Sequence, residues 1–224
     1  MKTLTARQLA SIFLLISAAG SAVLYILHVI VGGVLDPNYN QLSNSISALT
    51  AVGAPNQNVL LPMLNWYGWL YIIFCILLVS LFWKNANKLA IIGAVLLTIS
   101  SLISKIGFGV FGFDGEAAGL TYSNIMHITV VAVVVVFTIA ALYSIAFAYL
   151  RLPKDHVFGI YLLVLAIIFT VAGGAAGYLT ANNSQLMGVV EKINLGALQL
   201  FVLSLGIYLL NASLAIKKLA ISSF

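Results

Sequence analysis

His28, Lys105, Asp114, His127 and Glu191 each place an ionisable side chain inside or at the edge of a long apolar run. Two imidazoles and two carboxylates are a donor set that zinc or another divalent ion accepts, with a position left for water if the site is catalytic. In that chemistry His28, Asp114 and His127 ligate the metal and Glu191 is the general base; without a metal, His127 is the other candidate for proton transfer. No HExxH or paired-cysteine spacing fixes any two of them together. Neutral histidines relaying protons, or plain interhelical hydrogen bonds, use the same residues without a metal. Asn194 follows Glu191 by three residues and shares its helical face.

Lys105 is the sharpest case, because a charge at the centre of a bilayer costs something like 2.5 to 3.5 kcal/mol on insertion scales. Ser101, Lys105, Gly109 and Gly112 share one helical face, which suggests that this face is turned toward protein. An internal salt bridge to Glu191 or Asp114 is the expected relief; snorkelling and a substrate-binding role are the alternatives.

The elements that must position these residues follow from composition. With 62% hydrophobic and 7% charged residues the chain has too little polar surface for a water-soluble globule of 224 residues. A spanning helix takes roughly 20 apolar residues, and the apolar runs lie at about 9–35, 64–83, 89–113, 125–150, 157–179 and 189–216. Runs of this length must be helices, since hydrocarbon offers the backbone no other partner. The expectation is therefore an all-α, polytopic six-helix bundle forming one domain over residues 1–224.

Lys2, Arg7, Lys84, Lys88, Arg151, Lys154, Lys217 and Lys218 fall on one side, and Asp36, Asp114, Glu116 and Glu191 fall on the other. The positive excess marks the cytoplasmic side, so both termini are expected inside. Lys2 and Arg7 followed by an apolar run could pass for a signal peptide, but apolar sequence continues to Leu35, so a retained span is expected. The scattered basic residues give no nucleic-acid footprint. The long loop 36–62 is nearly uncharged, and within it Leu42, Ile46 and Leu49 recur at helical spacing opposite Ser43, Asn44 and Ser47. A short surface helix forming a lid is expected there, with Ser43 and Ser47 on its polar side.

Other features have plainer readings. Trp66, Tyr67, Trp69 and Tyr71 suit an interfacial aromatic belt. Gly173 and Gly177 form a small-xxx-small pair for close packing, within the bundle or between copies of the chain. Asn182-Asn183-Ser184 fits a glycosylation sequon, and Cys75 is expected to be packing.

Three stretches carry a resemblance. Leu27 to Gly33 with Asn38-Tyr39-Asn40 and Ser45 to Asn56, then Phe111-Gly112-Phe113-Asp114 with His127, then Gly188 to Asn194, together resemble the bacterial membrane-protein family of domain of unknown function 998, in the form common among Gram-positive bacteria. Lys192 and Phe113 stand where that family often has Arg and Pro. The resemblance implies a multi-pass protein of a bacterial cell membrane and transfers no activity. A looser similarity, in residue types alone, is to zinc hydrolases of the ceramidase and adiponectin-receptor kind.

The leading expectation is an outward-facing polar pocket that binds a lipid headgroup or small amphiphile. His28, Asp114, His127 and Glu191 would wall it, with Asn194, Ser43 and Ser47 near them and Lys105 neutralising a carboxylate from below. It needs no cofactor; its partners are membrane lipids and, through Gly173 and Gly177, a second copy of the chain. The alternatives are an intramembrane metal-dependent hydrolase, with zinc, and a small-solute or proton-coupled transporter. No inverted repeat supports the last.

Overall fold

A computed structural model describes residues 4–84, 87–182 and 184–222. Lys2 and Asn183 lie outside the described residues, as do the side chains of Lys217 and Lys218. The helices are α1 (Ala6–Leu35), α2 (Gln57–Lys84), α3 (Lys88–Val110), α4 (Tyr122–Leu150), α5 (His156–Ala181) and α6 (Met187–Ser222). All six are long and apolar enough to cross a membrane, and the chain is a polytopic membrane protein.

Polar residues at the run edges start these helices by satisfying backbone N–H groups that have no helical partner. Thr5 and Gln8 form a capping box at α1, at 3.0 and 3.2 Å. Asn87 accepts from Ala90 N at the start of α3, and Thr121 from Asn124 N at the start of α4. α2 begins at Gln57, two turns before the expected boundary, so the connecting loop spans only residues 36–56. Polar Gln57 and Asn58 and the breaker Pro62 disguise those turns; Pro62 lies within the helix and is exposed.

Consecutive helices pack side by side, and α6 returns to α1, so the bundle is a closed ring in chain order. One core cluster draws residues from every helix, including Leu14, Phe74, Leu97, Ile145, Leu162 and Phe201, each fully buried. It lies toward the end that holds Thr5, Lys84 and Asn87, here the terminal end. There Phe158 stacks on Tyr208 at 4.2 Å, Tyr149 meets both edge-on, and the Tyr208 hydroxyl donates to Asp155.

The opposite end is closed differently. The loop after α1 folds into a short 3-10 helix, Ile46–Thr50, capped by Ser45. The short helix sits as a plug in the mouth of the ring, against α1, α2 and α6. Ile46 and Leu49 are buried, while Leu42, expected on the same apolar stripe, lies outside the helix and is 55% exposed. Tightening to three residues per turn and starting at Ser45 breaks the stripe that an α-helical reading assumes.

Candidate functional site

The plug is fastened by polar contacts from widely separated parts of the chain. Glu191 on α6 accepts from Ile46 N at 2.7 Å, a charge-assisted bond into the first turn of the plug helix. His127 on α4 holds Ser47, with Nε2 to Oγ at 3.3 Å, while its Nδ1 meets Phe111 O at 3.0 Å. Val52 N donates to Phe113 O at 2.8 Å, tying the plug to the loop between α3 and α4.

The start of α6 grips the loop just before the plug. Val189 N donates to Leu42 O at 3.1 Å, and Lys192 Nζ donates to Gln41 O at 2.9 Å and to Gly188 O at 3.2 Å, over the Tyr39 ring. Gly188 is what permits this approach. A methyl group there would strike Asn44 O and come within 3.0 Å of Leu42 O and 3.1 Å of Gln41 O. On α1, Gly32 similarly makes room for Leu49, whose Cδ1 would lie 2.8 Å from a Cβ.

The residues expected to converge are therefore distributed among separate tasks. Glu191 and His127 hold the plug. Asp114 accepts from Thr121 Oγ1 at 2.6 Å, its N–H donates to Asn124 Oδ1, and it shapes the loop between α3 and α4. His28 is fully buried on α1 beside Tyr25. No three His, Cys, Asp or Glu among the described residues stand as a metal-ligand set, so His28, Asp114 and His127 are not assembled for zinc.

Lys105 meets neither carboxylate: it donates to Asn65 Oδ1 and lies 5.4 Å from the Trp69 ring centroid, between α3 and α2. A neutral amide and an aromatic face replace the expected salt bridge. Asn194 points to α5, where its Nδ2 donates to Phe169 O and packs against Gly173, so Gly173 serves contact within the bundle. Ser43 is half-buried, and the plug contacts described above come from other residues. The aromatic belt divides: Trp66 and Trp69 are exposed, whereas Tyr71 is buried and Tyr67 half-buried, turned into the ring.

Beneath the plug two features stand out. A cleft of about 300 Å³ runs between α1 and α6, where the ring closes. Its walls include Ile26, Ile30 and Leu200, all about half exposed, so it opens on the flank that faces hydrocarbon; Ile46 of the plug and Lys192 also line it. A contiguous polar cluster starts at Tyr25 and Gln199 of the cleft wall and runs inward to α2. Tyr25 and Tyr67 have ring centroids 5.0 Å apart, Tyr67 stacks on Tyr71 at 5.9 Å, and Gln199 Nε2 donates to Tyr67 Oη at 3.4 Å. The Tyr25 and Tyr71 hydroxyls, both His28 nitrogens and Gln199 Oε1 have no partner among the described residues. Such buried groups are individually unfavourable by about 1 to 3 kcal/mol.

Gln199 is a contributor that no sequence signal announces, whereas Gly188, Ile46 and Lys192 stand within the stretches that carry the family resemblance. A family model described as Protein of unknown function (DUF998) matches residues 18–208, from α1 through most of α6. Neither a curated protein nor a solved structure matches the chain.

Proposed function

The chain belongs to the DUF998 family, and since that description carries no activity, we propose from its own geometry that it binds an amphiphile in the seam between α1 and α6. The observation that carries this reading is the cleft: apolar walls inside the membrane, a lateral opening, and a cationic side chain at the end nearest the plug. An acyl or isoprenoid chain fits such walls by dispersion contacts, and because that chain comes from hydrocarbon rather than water, selectivity falls to the shape of the cleft and to the head beside Lys192. Lys192 uses two of its ammonium donors on Gln41 O and Gly188 O, which leaves one for a phosphate, carboxylate or ester oxygen of the head.

The charge pattern supports placing the plug end outside a bacterial cell membrane, with the termini in the cytoplasm. The ligand is then drawn from the outer leaflet. This relocates the expected pocket from the His28, Asp114, His127 and Glu191 side chains to the α1–α6 seam, and it calls for no cofactor.

Leu200→Trp fills the cleft from a half-exposed position and leaves the core untouched. Native mass spectrometry after graded delipidation is expected to show a retained amphiphile on the wild type. Retention on the variant is expected to fall about tenfold, equivalent to about 1.4 kcal/mol. Equal retention by the two proteins, or none by the wild type, would sink the reading.

A further inference from the structure

We propose that Lys105 and Asn65 form, on the α2–α3 seam, a binding site for the phosphate of an anionic glycerophospholipid from the leaflet at the plug end. The site stands apart from the α1–α6 cleft and does not rest on the amphiphile reading. Lys105 lies five residues before the end of α3, about 7.5 Å along the axis at 1.5 Å per residue, within a helix that crosses the bilayer. It is half-buried, so lipid reaches one side of it. A cation in that setting is unfavourable unless it is compensated. The compensation within the chain is neutral: the ammonium donates to Asn65 Oδ1 and lies 5.4 Å from the Trp69 ring centroid. Neither group balances its charge.

What the pair still offers is donors alone. A lysine ammonium has three donors and no acceptor, and one is spent on Asn65. That contact takes the Asn65 carbonyl oxygen and leaves the Nδ2 group, with its two N–H donors, for another partner. Two ammonium donors and an amide group around one positive charge suit an anion with several oxygens and disfavour a cation. A phosphodiester is the anion that a bilayer carries at the edge of its hydrocarbon, and bonds to it from a charged donor are of the strong kind.

The side chain is aimed at the lipid heads. Its Cδ lies against Gly68, 3.2 Å from where a Cβ would stand, and its Nζ reaches Asn65, three residues nearer the start of α2 and so nearer the plug end. Gly68 lets the stem lie flat on α2 as it runs that way. Trp66 and Trp69 are exposed on the same helix, as suits the boundary between heads and acyl chains. Toward the terminal end, Ile73 and Ile76 of α2 and Ile99 and Leu102 of α3 are exposed and give the acyl chains an apolar flank. The bilayer itself delivers the ligand to this flank.

The test is native mass spectrometry of the full-length protein in detergent, titrated with phosphatidylglycerol, phosphatidylcholine or inorganic phosphate. The choline of the second lipid sets a competing cation beside its phosphate. Wild-type protein is therefore expected to bind its first phosphatidylglycerol about tenfold more tightly than phosphatidylcholine, a comparison that needs no variant. Lys105→Met keeps the length of the stem, removes the charge and is expected to erase that preference. Leu200→Trp, which fills the cleft, is expected to keep it, so this site and the cleft fail separately. No preference in the wild type overturns the proposal, as does a preference that survives Lys105→Met or is lost in Leu200→Trp. Displacement of the lipid by excess inorganic phosphate overturns it too, by marking a site for the free ion.

Discussion

The two ends of the ring are closed by opposite means. At the terminal end, large apolar side chains from all six helices interlock, and polar groups mostly satisfy themselves locally: Ser11 and Ser17 bond carbonyls of their own helix. At the plug end the apolar cluster shrinks to Tyr39, Leu49 and Leu60 with a few partly buried neighbours. Closure there depends on Glu191, His127, Val189 and Lys192 reaching loop groups 80 to 151 residues away in sequence. Close packing resists every displacement, whereas a handful of hydrogen bonds can be released together. The terminal end is built to stay shut, and the plug end is built to be held shut.

The largest expected effect tests the packed half. Phe74 is fully buried, and Phe74→Ala is expected to lower unfolding stability by about 3 to 5 kcal/mol in mixed micelles. Protease sensitivity of the loop near Gln41 should stay as in the wild type at temperatures where the variant is folded. Gly188→Ala works the other half: its methyl meets three loop carbonyls, with an expected cost of about 1 to 3 kcal/mol. The loss should appear mainly as faster hydrogen exchange and cleavage around residues 41–46, and a variant that unfolds globally with no local opening would erase the distinction between the ends. The smallest effect sharpens the boundary. Tyr71→Phe removes a hydroxyl with no partner among the described residues and is expected to be neutral or stabilising by up to about 1 kcal/mol. Tyr67→Phe loses the Gln199 bond and is expected to cost about 1 kcal/mol in the same melt.

Much of the fold was legible in the sequence because hydrocarbon imposes a simple demand: each span must be apolar and long. Boundaries failed where that demand ends. Gln57 and Asn58 open α2 outside the apolar run, and Pro62 reads as a breaker although the helix absorbs it. The site was legible as residue types and not as pairings. Glu191 accepts from Ile46 N, which pairs it with a backbone donor, and every loop residue except proline offers one. Lys105 shows the same limit from the other side. That a cation within an apolar span finds a partner was foreseeable; that Asn65 and Trp69 partner the half-buried Lys105 instead of a carboxylate depends on the approach of α2 to α3. The cleft left no trace at all, since Ile26, Ile30 and Leu200 look like any lipid-facing side chains until two helices leave a gap between them.

The closure of the ring between its first and last helices also sets a timetable. α1 precedes its neighbour α6 in the chain by four intervening helices, so the groups that grip the plug, Gly188, Glu191 and Lys192, are synthesised well after it. Until then the loop after α1 has α2 to rest on, and from α4 onward His127 to bond, but no α6 to hold it. Seating of the plug therefore waits for α6, and a mouth fully latched by α6 reports that all six helices are in place.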